Sequence, residues 1–298
     1  MTLVATVALP YGAVPAYASA GGSAYVVGST LYFVALPGQL NNVMIKLNED
    51  DGRYHVVDWA TPIEPSPTCH PVTGNEVSCD SAGLTTVRAD TGDLADTLGV
   101  RGTLVSVLSG GSGDDLLLAG DLGGTLDGGP GDDTLVGGTG ADKLYGGPGD
   151  DELTGNDGDD LLAGGPGADV TSGGAGLDTS SYADHSQPVV VDADGVVGDD
   201  GSSGERDTTA KDVEQIIGGP ADDTLTGGPG DDTLVGGGGS DRLSGEAGYD
   251  WLYGDDLPAR TATRTADRAT TADRATADRD VCLVGPGGGA ASDCEIVR

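Results

Sequence analysis

Aromatic side chains make up 4% of this 298-residue chain, and Phe33 is its single phenylalanine. A core built on large rings is excluded over most of its length. Basic residues are scarce as well: 14 Lys and Arg stand against 49 Asp and Glu, giving a formal net charge of −35 and a pI near 4.1. So acidic a chain has no basic surface to offer nucleic acid or an anionic membrane. No apolar run is long enough for a transmembrane helix, so membrane insertion is not expected. Only three histidines occur, His55, His70 and His185, and there is no H-E-x-x-H, no G-x-S-x-G and no P-loop. The chain is therefore read as non-catalytic.

What the chain has in excess is glycine, 54 residues of it, and much of it is periodic. One nine-residue phrase recurs eight times between Gly110 and Ser181, and four times more between Gly218 and Tyr253. Good copies read GGPGDDTLV from Gly128, GGTGADKLY from Gly137 and GGGGSDRLS from Gly236. The frame is G-G-x-G-x-D-x-U-x, with U a large apolar residue. A fixed period dictates stacking of like units. Glycines at positions one, two and four permit a turn tight enough to aim carbonyl oxygens at one point. The x-U-x tail reads as a short strand with U pointing inward. Position six is Asp at 115, 133, 142, 151, 160, 169 and 178, then at 223, 232, 241 and 250. These eleven are the candidate metal ligands: Asp115, Asp133, Asp142, Asp151, Asp160, Asp169, Asp178, Asp223, Asp232, Asp241 and Asp250. Carbonyl and carboxylate oxygens at flexible spacing suit Ca²⁺ better than Mg²⁺, which demands stricter geometry and keeps its water. One copy fails, Ala119 to Asp127, with Gly124 at position six and Leu122 where a glycine belongs. Position eight is Leu except at Thr171 and Ser180, so the core thins there and that end should fray or be covered.

The pattern resembles the RTX, or hemolysin-type, calcium-binding repeat of secreted bacterial proteins, with twelve copies over a little over a third of the chain. The resemblance implies a right-handed parallel β-roll with two nonapeptides per coil. It also implies calcium held between turns one coil apart, pairing Asp133 with Asp151, Asp142 with Asp160 and Asp223 with Asp241. Gly124 and Leu122 should weaken the sites they share with neighbouring turns. Electrostatics argue the same way: the two blocks hold 22 acidic residues against Lys143 and Arg242. Like charges stacked about 5 Å apart cost roughly 3 kcal/mol per pair at an effective dielectric near 20. On the order of eight Ca²⁺ ions would offset most of that charge, and without them the repeats are expected to be disordered.

Seven segments are expected. Residues 1–20 are apolar and end Ala18-Ser19-Ala20, which resembles a signal peptide without its basic start and interrupted by Pro10 and Pro15. Residues 21–108 read as a β-rich domain, with alternation in Leu31–Ala35, Asn42–Leu47 and Tyr54–Trp59. Its cysteine loop and the run from Val87 to Asp93 resemble a leader found before RTX repeats, and 84–108 look like decayed first coils, with Asp93 and Asp96 near motif positions. Block one (109–181), a spacer (182–217) and block two (218–256) follow. Beyond them lie a low-complexity linker (257–281), with Thr-Ala-Asp-Arg at 265, 271 and 276, and a cap (282–298).

Four cysteines allow three pairings. The local ones, Cys69 with Cys79 and Cys282 with Cys294, are preferred, and export would make disulfides natural. Zinc at Cys69, His70 and Cys79 lacks a fourth ligand. Asp192-Ala193-Asp194-Gly195 begins like an EF-hand but has no Glu at position twelve. The resulting expectation is an all-β, secreted, calcium-binding roll without catalysis. The alternatives are a surface adhesin using the folded roll to meet a protein or glycan, or a remnant of a larger toxin or hydrolase.

Overall fold

The computed structural model describes residues 21–254 and, beyond them, the short strands Arg268–Ala269, Val281–Leu283 and Glu295–Ile296. The expected signal peptide and the Cys282–Cys294 pairing lie outside the described residues, as does most of the linker. Among the described residues there is no helix, and the strands form sheets of fourteen, ten and five.

Alternate repeats supply strands to opposite faces of a parallel roll. Leu116–Leu118, Thr134–Val136, Glu152–Asp157 and Val170–Ala175 pair in one sheet. Gly124–Asp127, Lys143–Tyr145, Leu161–Ala163 and Thr179–Ser181 pair in the other. Leu117 lies across from Leu135, and Leu126 across from Leu144, so partners are 18 residues apart and two nonapeptides make one coil. The strands are short because each carries one core residue between two turns. Leu117, Leu126, Leu135, Leu144, Leu153 and Leu162 are wholly buried, forming a ladder on each face. Burying a leucine is worth about 1.5–3 kcal/mol, which makes this a thin core for so much chain.

The N-terminal region caps one end with antiparallel hairpins. Gly22–Val27 pairs with Thr30–Ala35, and Asn42–Asn48 with Arg53–Asp58, matching the alternation in the sequence. A disulfide joins Cys69 to Cys79 across the antiparallel strands Cys69–Thr73 and Glu76–Cys79. The two hairpins then feed the roll directly. Thr30–Ala35 pairs in parallel with Thr86–Asp90, and Asn42–Asn48 with Thr97–Arg101. Those strands, with Val105–Ser109, continue in register into the repeats. Residues 84–108 are thus coils of the roll, and both sheets run through the boundary expected at 108/109.

The spacer supplies rungs of the roll. Gln215–Ile217 pairs with Thr179–Ser181 on one side and Thr233–Val235 on the other, so the larger sheet is continuous from block to block. Thr208–Thr209 ends the second sheet on Val170–Ala175. Val189–Asp192 pairs with Thr224–Thr226 and opens the third sheet. The thinned core at Thr171 and Ser180 is covered, not frayed. Ile216 lies across from Ser180 and Thr209 across from Thr171, while buried Tyr182 brings its hydroxyl to 3.1 Å from Thr209 Oγ1.

Candidate metal sites

Each position-six aspartate sits where the turn meets the strand, so its main chain enters the sheet as its side chain enters the turn. The Asp115 carbonyl accepts from Thr134 N–H and that of Asp133 from Glu152 N–H, both at 2.8 Å. The side chains face inward: all eleven candidates are 4% exposed or less.

One carboxylate oxygen of most of them is committed to the stack. Asp133 N–H donates to Asp151 Oδ1 and Asp142 N–H to Asp160 Oδ1, each at 2.7 Å, and Asp223 N–H donates to Asp241 Oδ1 at 2.9 Å. The three pairs expected from the resemblance are therefore in contact, and Asp115 with Asp133, Asp151 with Asp169, Asp160 with Asp178 and Asp232 with Asp250 pair in the same way. Every one of these bonds runs from a residue to the carboxylate one coil further along the chain.

The second oxygen is the informative one. Oδ2 of Asp115, Asp133, Asp151, Asp160, Asp169, Asp178 and Asp232, and Oδ1 of Asp142, are buried without a hydrogen-bond partner. Buried polar atoms are nearly always paired, and a carboxylate oxygen all the more so. The surroundings suit a cation. A Cβ built on Gly146 would overlap Asp151 Oδ2 and lie 2.7 Å from the carbonyl oxygen of Gly164. A Cβ on Gly128 would similarly overlap Asp133 Oδ2 and approach the Gly146 carbonyl. Position one must be glycine because a carboxylate and a carbonyl converge there, and oxygen donors of this kind are what Ca²⁺ takes.

Without a cation, burial makes ionisation costly. It pushes Asp115 and Asp151 up to about 7 and Asp169 to about 8, with neighbouring carboxylates adding to the effect and backbone N–H donors opposing it. Asp142 and Asp178 rise to about 6 and Asp232 to about 7, again chiefly through burial. Asp133, Asp160 and Asp223 shift the same way for the same reason.

A family model for the RTX calcium-binding nonapeptide repeat, four copies long, matches residues 106–126, 118–153, 127–162, 145–179 and 235–256. These are RTX calcium-binding repeats. No curated protein matches the chain.

The RTX frame, read strictly, misses three acidic residues that occupy the same ladders. Asp96 N–H donates to Asp115 Oδ1 at 2.7 Å, Asp169 N–H to Asp207 Oδ1 at 3.0 Å, and Asp178 N–H to Glu214 Oε2 at 3.0 Å. Oδ2 of Asp96 and of Asp207 is also buried and unpartnered. The signal was present in the tails: Asp96-Thr97-Leu98, Asp207-Thr208-Thr209 and Glu214-Gln215-Ile216 keep the acid and its strand after the glycines have gone. Asp93 is out of phase and instead accepts from Gly38 N–H.

The broken copy leaves a local mark. Gly124 brings no carboxylate to Asp142, and Asp142 Oδ2 turns to the N–H of Gly138 in its own turn, at 2.7 Å. Asp223 lies beyond Val189, which is likewise without a carboxylate, and its Oδ2 accepts from Gly219 N–H at 2.7 Å. At these two places the preceding coil lacks its acid and the aspartate closes on its own turn.

Proposed function

We propose that this is an exported protein whose RTX repeats fold around calcium outside the cell and which has no catalysis of its own. The observation that carries the reading is the row of buried carboxylate oxygens without partners, those of Asp133, Asp151, Asp160 and Asp178 each beside a glycine and a carbonyl oxygen. Calcium would be held by the eleven position-six aspartates, joined by Asp96 and Glu214 from outside the matched repeats. Bound calcium supplies charge compensation. The chain's own part is to bury the carboxylates in register, so that folding and binding are one event.

Export fits this chemistry. Extracellular calcium-binding modules commonly work at 10⁻⁴–10⁻³ M, so a chain poor in cytoplasmic calcium stays open and closes where calcium is abundant. The Cys69–Cys79 disulfide agrees with an oxidising destination. Far-UV circular dichroism on adding calcium tests the reading. The signal should pass from coil to β at millimolar Ca²⁺, and no change up to about 10 mM would sink it.

A further inference from the structure

The spacer holds a cluster whose chemistry differs from that of the repeats. One ligand atom each from His185, Glu205 and Asp207 lie within 4.8 Å of one another. His185 is 7% exposed and Asp207 2%. Asp207 Oδ1 accepts from Asp169 N–H, while its Oδ2 has no partner. His185 Nδ1 lies in hydrogen-bond geometry 3.0 Å from Asp184 Oδ1. Its Nε2 is 3.2 Å from Glu205 Oε2 but makes no hydrogen bond there.

Nδ1, held on Asp184, turns Nε2 toward two carboxylates in a buried space. With Nδ1–H donated and Nε2 unprotonated, three acceptors face one another, and they repel unless a cation lies among them. His55 shows the other solution in the same molecule: Nδ1 meets Glu76 Oε1 at 2.7 Å and Nε2 meets Asp51 Oδ2 at 2.9 Å, both as hydrogen bonds, so two protons serve two carboxylates. At His185 only one nitrogen is so served. A carboxylate that orients an imidazole whose other nitrogen is turned to a metal is a recurrent second-shell device.

The geometry points to a transition-metal site at His185, Glu205 and Asp207, set at the end of the aspartate ladder that Asp207 closes on Asp169 and selective for a divalent ion of the zinc class. Calcium takes oxygen ligands, whereas an imidazole nitrogen with two carboxylates suits Zn²⁺ or Co²⁺. The site lies where the second sheet ends and the third begins, since Asp207 directly precedes the closing strand Thr208–Thr209. A metal there would pin the seam between the two halves of the roll. The inference rests on the calcium reading only in that the chain must be folded to be tested.

The test is a Co²⁺ titration of the full chain in millimolar Ca²⁺, followed by d–d absorption, with folding checked beforehand by circular dichroism. One equivalent should bind, give ligand-field bands and be displaced by Zn²⁺. His185→Gln and Glu205→Gln should each weaken Co²⁺ about 10–100-fold while leaving the calcium-induced signal in place. Nitrogen NMR of the unsubstituted protein gives a readout independent of any variant: Zn²⁺ should shift Nε2 of His185 and leave His55 unmoved. A folded protein with no saturable binding at micromolar Co²⁺ overturns the site. So does unchanged binding in both variants, or a His185 ring that carries two protons whether or not Zn²⁺ is present. Failure of the chain to fold in calcium would instead count against the calcium reading.

Discussion

The hairpin end and the repeat roll share the same two sheets but are held by different forces. The hairpin end packs Phe33, Ile45, Val56 and Val77, all wholly buried, and adds a disulfide. The roll has one leucine in most strands and a buried carboxylate at nearly every turn. One end has a conventional apolar core, with the hydrophobic effect sufficient to hold it. The other brings like charges together and depends on a cation to make their burial tolerable. Continuity of a sheet therefore does not imply continuity of what stabilises it.

Chelation should separate the two most strongly. With calcium removed, amides of 110–181 and 218–253 are expected to lose protection from hydrogen exchange, while those of the strands between 22 and 58 keep it. Simultaneous loss in both would show that the ends are not held differently. Acid should come next. The aspartates' ordinary value is 3.8, and in the metal-free roll burial raises several to between about 6 and about 8. Their protonated forms favour the folded state, fully so below about pH 4, and that contribution is lost as pH rises through 6 to 8. In chelator, circular dichroism should thus show more β structure at about pH 5 than at about pH 8, and the calcium needed for folding should increase as pH falls. An equal metal-free signal at both pH values would contradict the burial of these carboxylates.

Reduction of Cys69–Cys79 is expected to cost about 2–4 kcal/mol, and only at the hairpin end. Denaturant melts read by exchange at the two ends would show whether the loss is confined there. Among the repeats, Asp142→Ala and Asp160→Ala should each raise the calcium midpoint and destabilise the folded roll by about 1–3 kcal/mol. Asp127→Ala, at an exposed position, should stay within about 0.5 kcal/mol. Equal shifts for all three would mean that the position-six phase is wrong.

The repeats were legible because period, glycine turn and leucine tail agree at one phase. That agreement placed the strands and the eleven buried aspartates, while the parallel pairing 18 residues apart was implied by the RTX resemblance. The rungs of 84–108 and of the spacer were harder to read because they shed most of the motif glycines and kept chiefly the acid and the tail. Thr209 and Ile216 hold core positions that pairing with Thr171 and Ser180 reveals and composition does not. His185 was visible only as a scarce residue. Its neighbours Glu205 and Asp207 lie some twenty residues away, and the chain's turn at Asp200–Asp207 is what brings them near.

The one-way run of side-chain bonds has a practical consequence for anyone building a shorter version of this protein. Most coils receive a carboxylate from the coil that follows, so a segment is finished only by its successor. The matched repeats of the first block stop at residue 179, which looks like a natural place to cut. A cut there would remove Asp207 and Glu214, leaving the N–H groups of Asp169 and Asp178 without acceptors. A self-sufficient fragment has to carry the spacer through Ile217, although much of that spacer no longer looks like a repeat.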